Sequence, residues 1–197
     1  MSEVFPLAAL AVPGTGSEVP DTAPVQIAER RPGAFVEIRL WKESPRLSGT
    51  IAAAAECQEL PAPGRVVTAP GHMLLSAGPA RYFAVAQEEG LAGRIAGVVA
   101  PGEAAVVDLT HGRVGLRIAG PNAERLLQKG LAFDLASKSF PPGSATTGAI
   151  HHMAVTVVMI AEETFDIFAM SSLAGSVWDW LTDSAVEYGW RVTQPIP

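Results

Sequence analysis

At 197 residues the chain has the length of one ordinary domain, enough to bury a real core and short for two independent ones. Nearly half of the residues are apolar, yet no run approaches the roughly 20 apolar residues that a bilayer-spanning helix requires, so the composition excludes a helical membrane protein. The formal net charge is −6 and Lys and Arg are scattered rather than gathered into a stripe, which argues against nucleic acid as a partner.

Residues 1–30 read as a flexible N-terminal tail: from Ala11 to Ala28 the chain is rich in Pro, Gly, Thr, Ser and acidic groups and lacks hydrophobic periodicity. The short apolar run in MSEVFPLAALAVPG follows Glu3 rather than a basic residue and is interrupted by Pro6, which is not the pattern of a signal peptide. The single cysteine, Cys57, can form no internal disulfide, and a reducing cytoplasm is the expected location. Residues 31–197 are expected to form a single α+β domain.

Within that body, Phe35 to Trp41 alternate at the strand period of two. An Ala-rich stretch, Ile51 to Leu60, suits a helix and is followed by a loop through Pro61, Pro63 and Gly64. Strands are expected at Leu74-Leu75 and at Arg81 to Ala86, flanking a turn at Gly78-Pro79, with a short helix over Gln87 to Val98. Two further strands follow, Ala104 to Leu109 and Val114 to Ile118. Pro121 then opens a helix whose apolar face is Ala123, Leu126 and Leu127, and Gly130 is expected to permit a left-handed exit.

After the loop Phe140-Pro141-Pro142-Gly143, Ala154 to Ala161 are apolar on both faces, as in a strand covered on both sides. Phe165 to Met170 is its hairpin partner, turning at Glu162-Glu163-Thr164. Ser171 or Ser172 caps a last helix that ends at Gly189. This order favours an antiparallel or mixed sheet with helices on one face. On the last helix the apolar residues, bounded by Trp178 and Trp180, cover an arc of about 160° at 100° per residue, wider than a single core stripe needs. One of these two tryptophans is therefore a candidate anchor for another chain.

The chemistry-bearing residues form no recognisable active site. His151 and His152, placed in an extended segment, point to opposite sides and cannot share a metal, so no metal site is assigned. The Gly-rich stretches at Pro13 to Gly16 and Gly112 to Gly120 follow neither the dinucleotide nor the phosphate-loop spacing. Nothing near Cys57 supplies a base to activate it. Arg113 and Arg117 share one strand face with Gly115, a surface suited to a partner's carboxylates or to water.

One ordered set of motifs is more distinctive. Asp108-Leu109-Thr110-His111-Gly112-Arg113, a strand to Ile118, and Gly120-Pro121-Asn122-Ala123 opening a Leu-rich helix resemble the signature of the glycine-cleavage T-protein (aminomethyltransferase) and its relatives. Downstream, Phe133-Asp134-Leu135, Phe140-Pro141-Pro142-Gly143, Phe165-Asp166-Ile167 and Trp178-Asp179-Trp180-Leu181 look most like the gamma subunits of heterotetrameric sarcosine oxidases.

The resemblance implies a T-protein-like, folate-binding-superfamily fold for a chain that binds no cofactor itself. FAD, FMN, NAD, tetrahydrofolate and zinc are then expected in other subunits. It also implies alpha, beta and delta subunits as partners, chiefly alpha, in a complex that oxidatively demethylates sarcosine to glycine. His111, at a strand end beside Gly112, is expected to bond a nearby backbone group rather than to contact a partner. Where T-proteins carry acidic residues that assist folate chemistry, this chain has Gly148-Ala149-Ile150-His151-His152-Met153, so folate catalysis is not implied for it. The interface candidates are Trp178, Trp180, Arg113, Arg117, His151 and His152. The alternative is a free-standing folate-binding or one-carbon-transfer protein of the same superfamily.

Overall fold

The computed structural model describes residues 5–20 and 23–197. In chain order the strands and helices are β1 (Gly16–Ser17), β2 (Val25–Arg30), β3 (Ala34–Leu40), α1 (Pro45–Ala54), β4 (Val66–Ala69), β5 (His72–Gly78), β6 (Arg81–Ala86), α2 (Leu91–Val98), β7 (Ala104–Asp108), β8 (Arg113–Ala119), α3 (Ala123–Gln128), β9 (Ala145–Ile150), β10 (Met153–Ala161), β11 (Thr164–Met170), α4 (Ala174–Ala185) and β12 (Trp190–Val192). The chain is thus mixed α+β. It divides into two compact units rather than the one expected: residues up to Arg31 with 112–142 and 147–196, and residues 32–111 with 143–146.

The first unit carries a seven-stranded sheet in the order β1-β12-β2-β8-β11-β10-β9. The β12–β2 pair is parallel, whereas β2–β8, β8–β11 and β10–β11 are antiparallel. Period-two alternation places Ile27, Leu116, Ile118, Phe165, Ile167, Val155 and Val157 on one face, where they form a core with Leu126 and Leu127 of α3 and Val177 and Leu181 of α4. Helices lie on one face, as the order of elements implied.

The second unit is built on an antiparallel sheet in the order β4-β5-β6-β3-β7. Val36, Ile38, Leu74 and Ala84 pack with Leu47 and Ile51 of α1 and Leu91 and Ile95 of α2. Helix α1 starts six residues before the Ala-rich stretch that suggested it. Pro45 stands in its first turn, and the Leu47 N–H donates to the Ser44 hydroxyl at 3.2 Å. That Ser-Pro pair, rather than the alanines, marks the start.

The expected tail needs the largest correction. Residues 1–4 and 21–22 lie outside the described residues, but Val25 to Arg30 form an interior strand flanked by β12 and β8, with Val25 and Ile27 fully buried. Leu7 and Ala11 are buried in the same core. The Leu7 N–H donates to Oε1 of Glu29 at 3.2 Å, and Arg31 donates to Oε2 of Glu29 from Nε at 2.8 Å. The strand pairing, the Leu7–Glu29 bond and these burials order a segment that has no local periodicity of its own.

Three smaller differences have local causes. His151 and His152 form the two-residue turn between β9 and β10 rather than an extended segment, with His151 at φ 52°. The chain enters α4 through a 3-10 turn at Ser171–Leu173, and no side-chain hydrogen bond caps the helix. Gly130 does not adopt a positive φ. Its role is room, since an added Cβ would lie 2.5 Å from Cζ2 of Trp180. If the N-terminal segment is structural, Ile27→Ala will cost about 2–5 kcal/mol in urea denaturation, as for a core truncation. A tail residue would change stability by no more than about 0.5 kcal/mol.

Candidate functional site

Strand registry brings the two strongest charges of the first unit together. Asp166 on β11 pairs with Arg117 on β8, which in turn pairs with Ala28 on β2. The Asp166 side chain is wholly buried and receives a bidentate bond from Arg117, Nε to Oδ1 at 2.7 Å and Nη2 to Oδ2 at 2.9 Å. Arg30, one register step away, brings Nη1 to within 3.4 Å of Oδ2. Burial lowers the affinity of Arg30 for its proton, Asp166 opposes that shift, and the neighbouring Arg117 adds to it.

Gly115 is what lets these groups converge. A Cβ there would lie 2.6 Å from Cβ of Arg30 and 3.0 Å from the Phe168 ring. The shared face of Arg113, Gly115 and Arg117 is therefore real, but Arg117 is committed to a carboxylate of its own chain. Arg113 sits opposite Met170 at the start of β8 and is half-buried.

The two tryptophans of α4 have different fates. Trp178 is 6 % exposed and meets Trp190 edge to face, ring centroids 5.9 Å apart, so it anchors its own core. Trp180 is half-buried, lies over Gly130 and meets the exposed His151 edge to face at 6.4 Å. His152 is exposed beside it. Of the six residues singled out from sequence, Trp180 and His151 thus meet at the surface with His152 exposed next in the chain, and Trp178 and Arg117 are engaged within the fold. Among the large apolar side chains of the described residues Trp41, just after β3, is the most open at 60 %, and Val107 on the edge strand β7 is also exposed. The period-two pattern of Phe35 to Trp41 and of Ala104 to Leu109 does not by itself tell which of these residues face solvent.

The signature segment Asp108-Leu109-Thr110-His111 works on the backbone. The Asp108 carboxylate accepts from the Thr110 N–H at 2.9 Å and from its hydroxyl at 2.7 Å, and these bonds hold it below the usual carboxylate range. The Thr110 hydroxyl oxygen in turn accepts from the Phe35 N–H at 3.0 Å, tying the end of β7 to β3. His111 is exposed in the turn that follows. Cys57 is buried and its thiol is pushed up by that burial, the reverse of an activated nucleophile.

Sequence spacing gave no sign of one polar cluster. Glu56, after α1, and Glu88, before α2, converge on His72 at the start of β5, and Arg94 of α2 bridges both carboxylates. The three acid and imidazole groups are 16 residues apart in each step, a spacing that only the fold can close.

Among known proteins, residues 65–187 match the family described as sarcosine oxidase, gamma subunit family. The sarcosine oxidase subunit gamma of Arthrobacter sp. is 26% identical over 145 residues, covering 73% of this chain and 64% of that protein. Its counterpart in Corynebacterium sp. (strain P-1) is 27% identical over 146 residues, 72% of each chain. The matched segment thus spans less than two thirds of the Arthrobacter protein.

A chain of the heterotetrameric sarcosine oxidase from Corynebacterium sp. U-96 has a TM-score of 0.83 and 25% identity, over 94% of this chain and 96% of that one. The glycine cleavage system aminomethyltransferase T from Bartonella henselae shares the fold at a TM-score of 0.54 and 18% identity, over 81% of this chain and 46% of that one.

Removing one member of the buried ion pair leaves the other uncompensated. Asp166→Leu is therefore expected to cost about 3–5 kcal/mol by urea denaturation. The triple variant Asp166→Leu/Arg117→Met/Arg30→Met, which removes both cations facing Asp166, will recover most of that loss if charge burial, rather than shape, causes it.

Proposed function

This chain belongs to the sarcosine oxidase gamma subunit family, and we propose from that premise that it is the non-catalytic gamma subunit of a flavin-dependent heterotetrameric sarcosine oxidase. In that complex the N-methyl group of sarcosine is oxidised and glycine released. The observation that carries the reading is the structural match over 94% of this chain to a chain of such an enzyme, together with the family match over residues 65–187.

The arrangement of this chain's own residues supports a scaffold role. Asp108 and Thr110, at the heart of the T-protein-like signature, are engaged in backbone bonds, and the β9–β10 turn offers imidazoles rather than carboxylates. A neutral imidazole can donate or accept a hydrogen bond at an interface but cannot supply the fixed negative charge that favours a forming iminium cation. We assign the FAD, FMN, NAD, tetrahydrofolate and zinc of the complex to its other subunits. The alpha subunit is the chief contact, the beta and delta subunits complete the assembly, and the complex is cytoplasmic. None of the helices among the described residues is long and apolar enough to cross a membrane.

For the contact with alpha we favour the edge formed by Trp180, His151 and His152, where an aromatic ring with one open side stands beside two hydrogen-bonding groups. Trp180→Ala should weaken association by about 2 kcal/mol, roughly 30-fold, in surface plasmon resonance against the remaining subunits. Its own thermal midpoint should fall less than that of Trp178→Ala, which empties a buried site. Equal loss of stability in both variants, with unchanged association by Trp180→Ala, would remove this edge from the interface.

The subunit reading itself is tested by purifying the tagged chain from its native host. A yellow complex with a large chain and a flavin-bearing chain is expected; a colourless single chain that binds tetrahydrofolate would favour the one-carbon protein instead.

A further inference from the structure

We propose that Glu56, His72 and Glu88 form a binding site for a divalent transition metal of zinc's class, and that Arg94 is an internal cation competing for it. The donor set is built around a buried imidazole. The His72 side chain is 5% exposed, and its Nδ1 lies 3.0 Å from the Pro70 carbonyl oxygen, so the Nδ1–H donates there. That bond fixes the tautomer and aims the Nε2 lone pair at the two glutamates, the orientation that metal-bound histidines obtain from a carbonyl or carboxylate partner.

Nε2 is 3.2 Å from Oε1 of Glu88 and 3.7 Å from Oε1 of Glu56, and all three donor atoms lie within 4.8 Å of one another. Nitrogen and oxygen ligands at about 2.0–2.2 Å from a tetrahedral zinc stand about 3.3–3.5 Å apart, so small side-chain shifts close the triad around an ion. Water completes such a site, since both carboxylates are exposed.

An imidazole lone pair facing two carboxylates is unfavourable unless a cation lies among them. Arg94 supplies one. Its Nη1 is 2.6 Å from Oε1 of Glu88, and its Nη2 is 3.4 Å from both Oε1 of Glu56 and Nε2 of His72. The Glu88 carboxyl is held below its usual range chiefly by the Arg94 bond. The Arg94 side chain is 38% exposed and can leave for water, so a dication replaces one charge with two among the same three donors. With neutral His72 the local charge then goes from −1 to zero. The geometry points to a structural rather than catalytic ion, one that ties α1, β5 and α2 of the second unit together.

The test uses the full chain freed of metal with a chelator, then titrated with zinc chloride by calorimetry and with cobalt chloride followed by visible absorption. One equivalent of zinc and the absorption of tetrahedral cobalt are expected. H72Q and E88Q should each weaken binding by about 10- to 100-fold or more, and R94Q should tighten it by about tenfold because the competing cation is gone. Glu88 is exposed, so E88Q reports on the site even if H72Q fails to fold. The exposed pair His151 and His152 is the control: H151A/H152A must bind as the unaltered chain does. No stoichiometric zinc, loss of binding in H151A/H152A, or no gain in R94Q would each overturn the proposal.

Discussion

Asp166 places a carboxylate where water has no access, on the third of four consecutive strands that hold the first unit together. It is tolerable there because the β8–β11 register sets Arg117 directly across from it. A slip of one residue along β11 would turn Asp166 into the apolar face and Ile167 out of it. The bidentate pair therefore acts as a register lock, its geometry satisfied only when Ile118, Leu116, Phe165 and Ile167 all face the helices. Burying the pair gains little net stability, but a wrong register would leave a charge alone in the interior.

That lock extends to the N-terminal segment. Arg30 adds a second cation to Asp166 from β2, and Glu29, on the other face of the same strand, accepts from Leu7 and Arg31. Adjacent residues of β2 thus send opposite charges to opposite faces, Arg30 to the distant Asp166 and Glu29 to the nearby Arg31 and the Leu7 N–H. Gly115 makes the Arg30 side feasible by removing the only side chain that would collide there.

The same economy of surface explains what is left for partners. Trp178, Arg117, Asp108 and Thr110 are each engaged by interactions within the chain. Outward-facing apolar groups include the half-buried Trp180, which meets His151 of the β9–β10 turn, and the exposed Trp41 and Val107.

Local periodicity alone determined most strands of β3, β6, β7, β8, β10 and β11, the α3 and α4 helices, and the α+β class, because alternation and helical stripes are imposed by neighbours one to four residues away. The shared face of Arg113, Gly115 and Arg117 was legible for the same reason. Tertiary structure decided the rest. The polar, Pro-rich N-terminus supplied an interior strand because β12 and β8 bond both of its edges. Trp178 and Trp180, symmetric on a helical wheel, diverged because only one faces Trp190. Glu56, His72 and Glu88 met because a β-hairpin and two helices return to one place. Such contacts join residues whose separation along the chain has no fixed relation to their separation in space, so no spacing rule could have disclosed them.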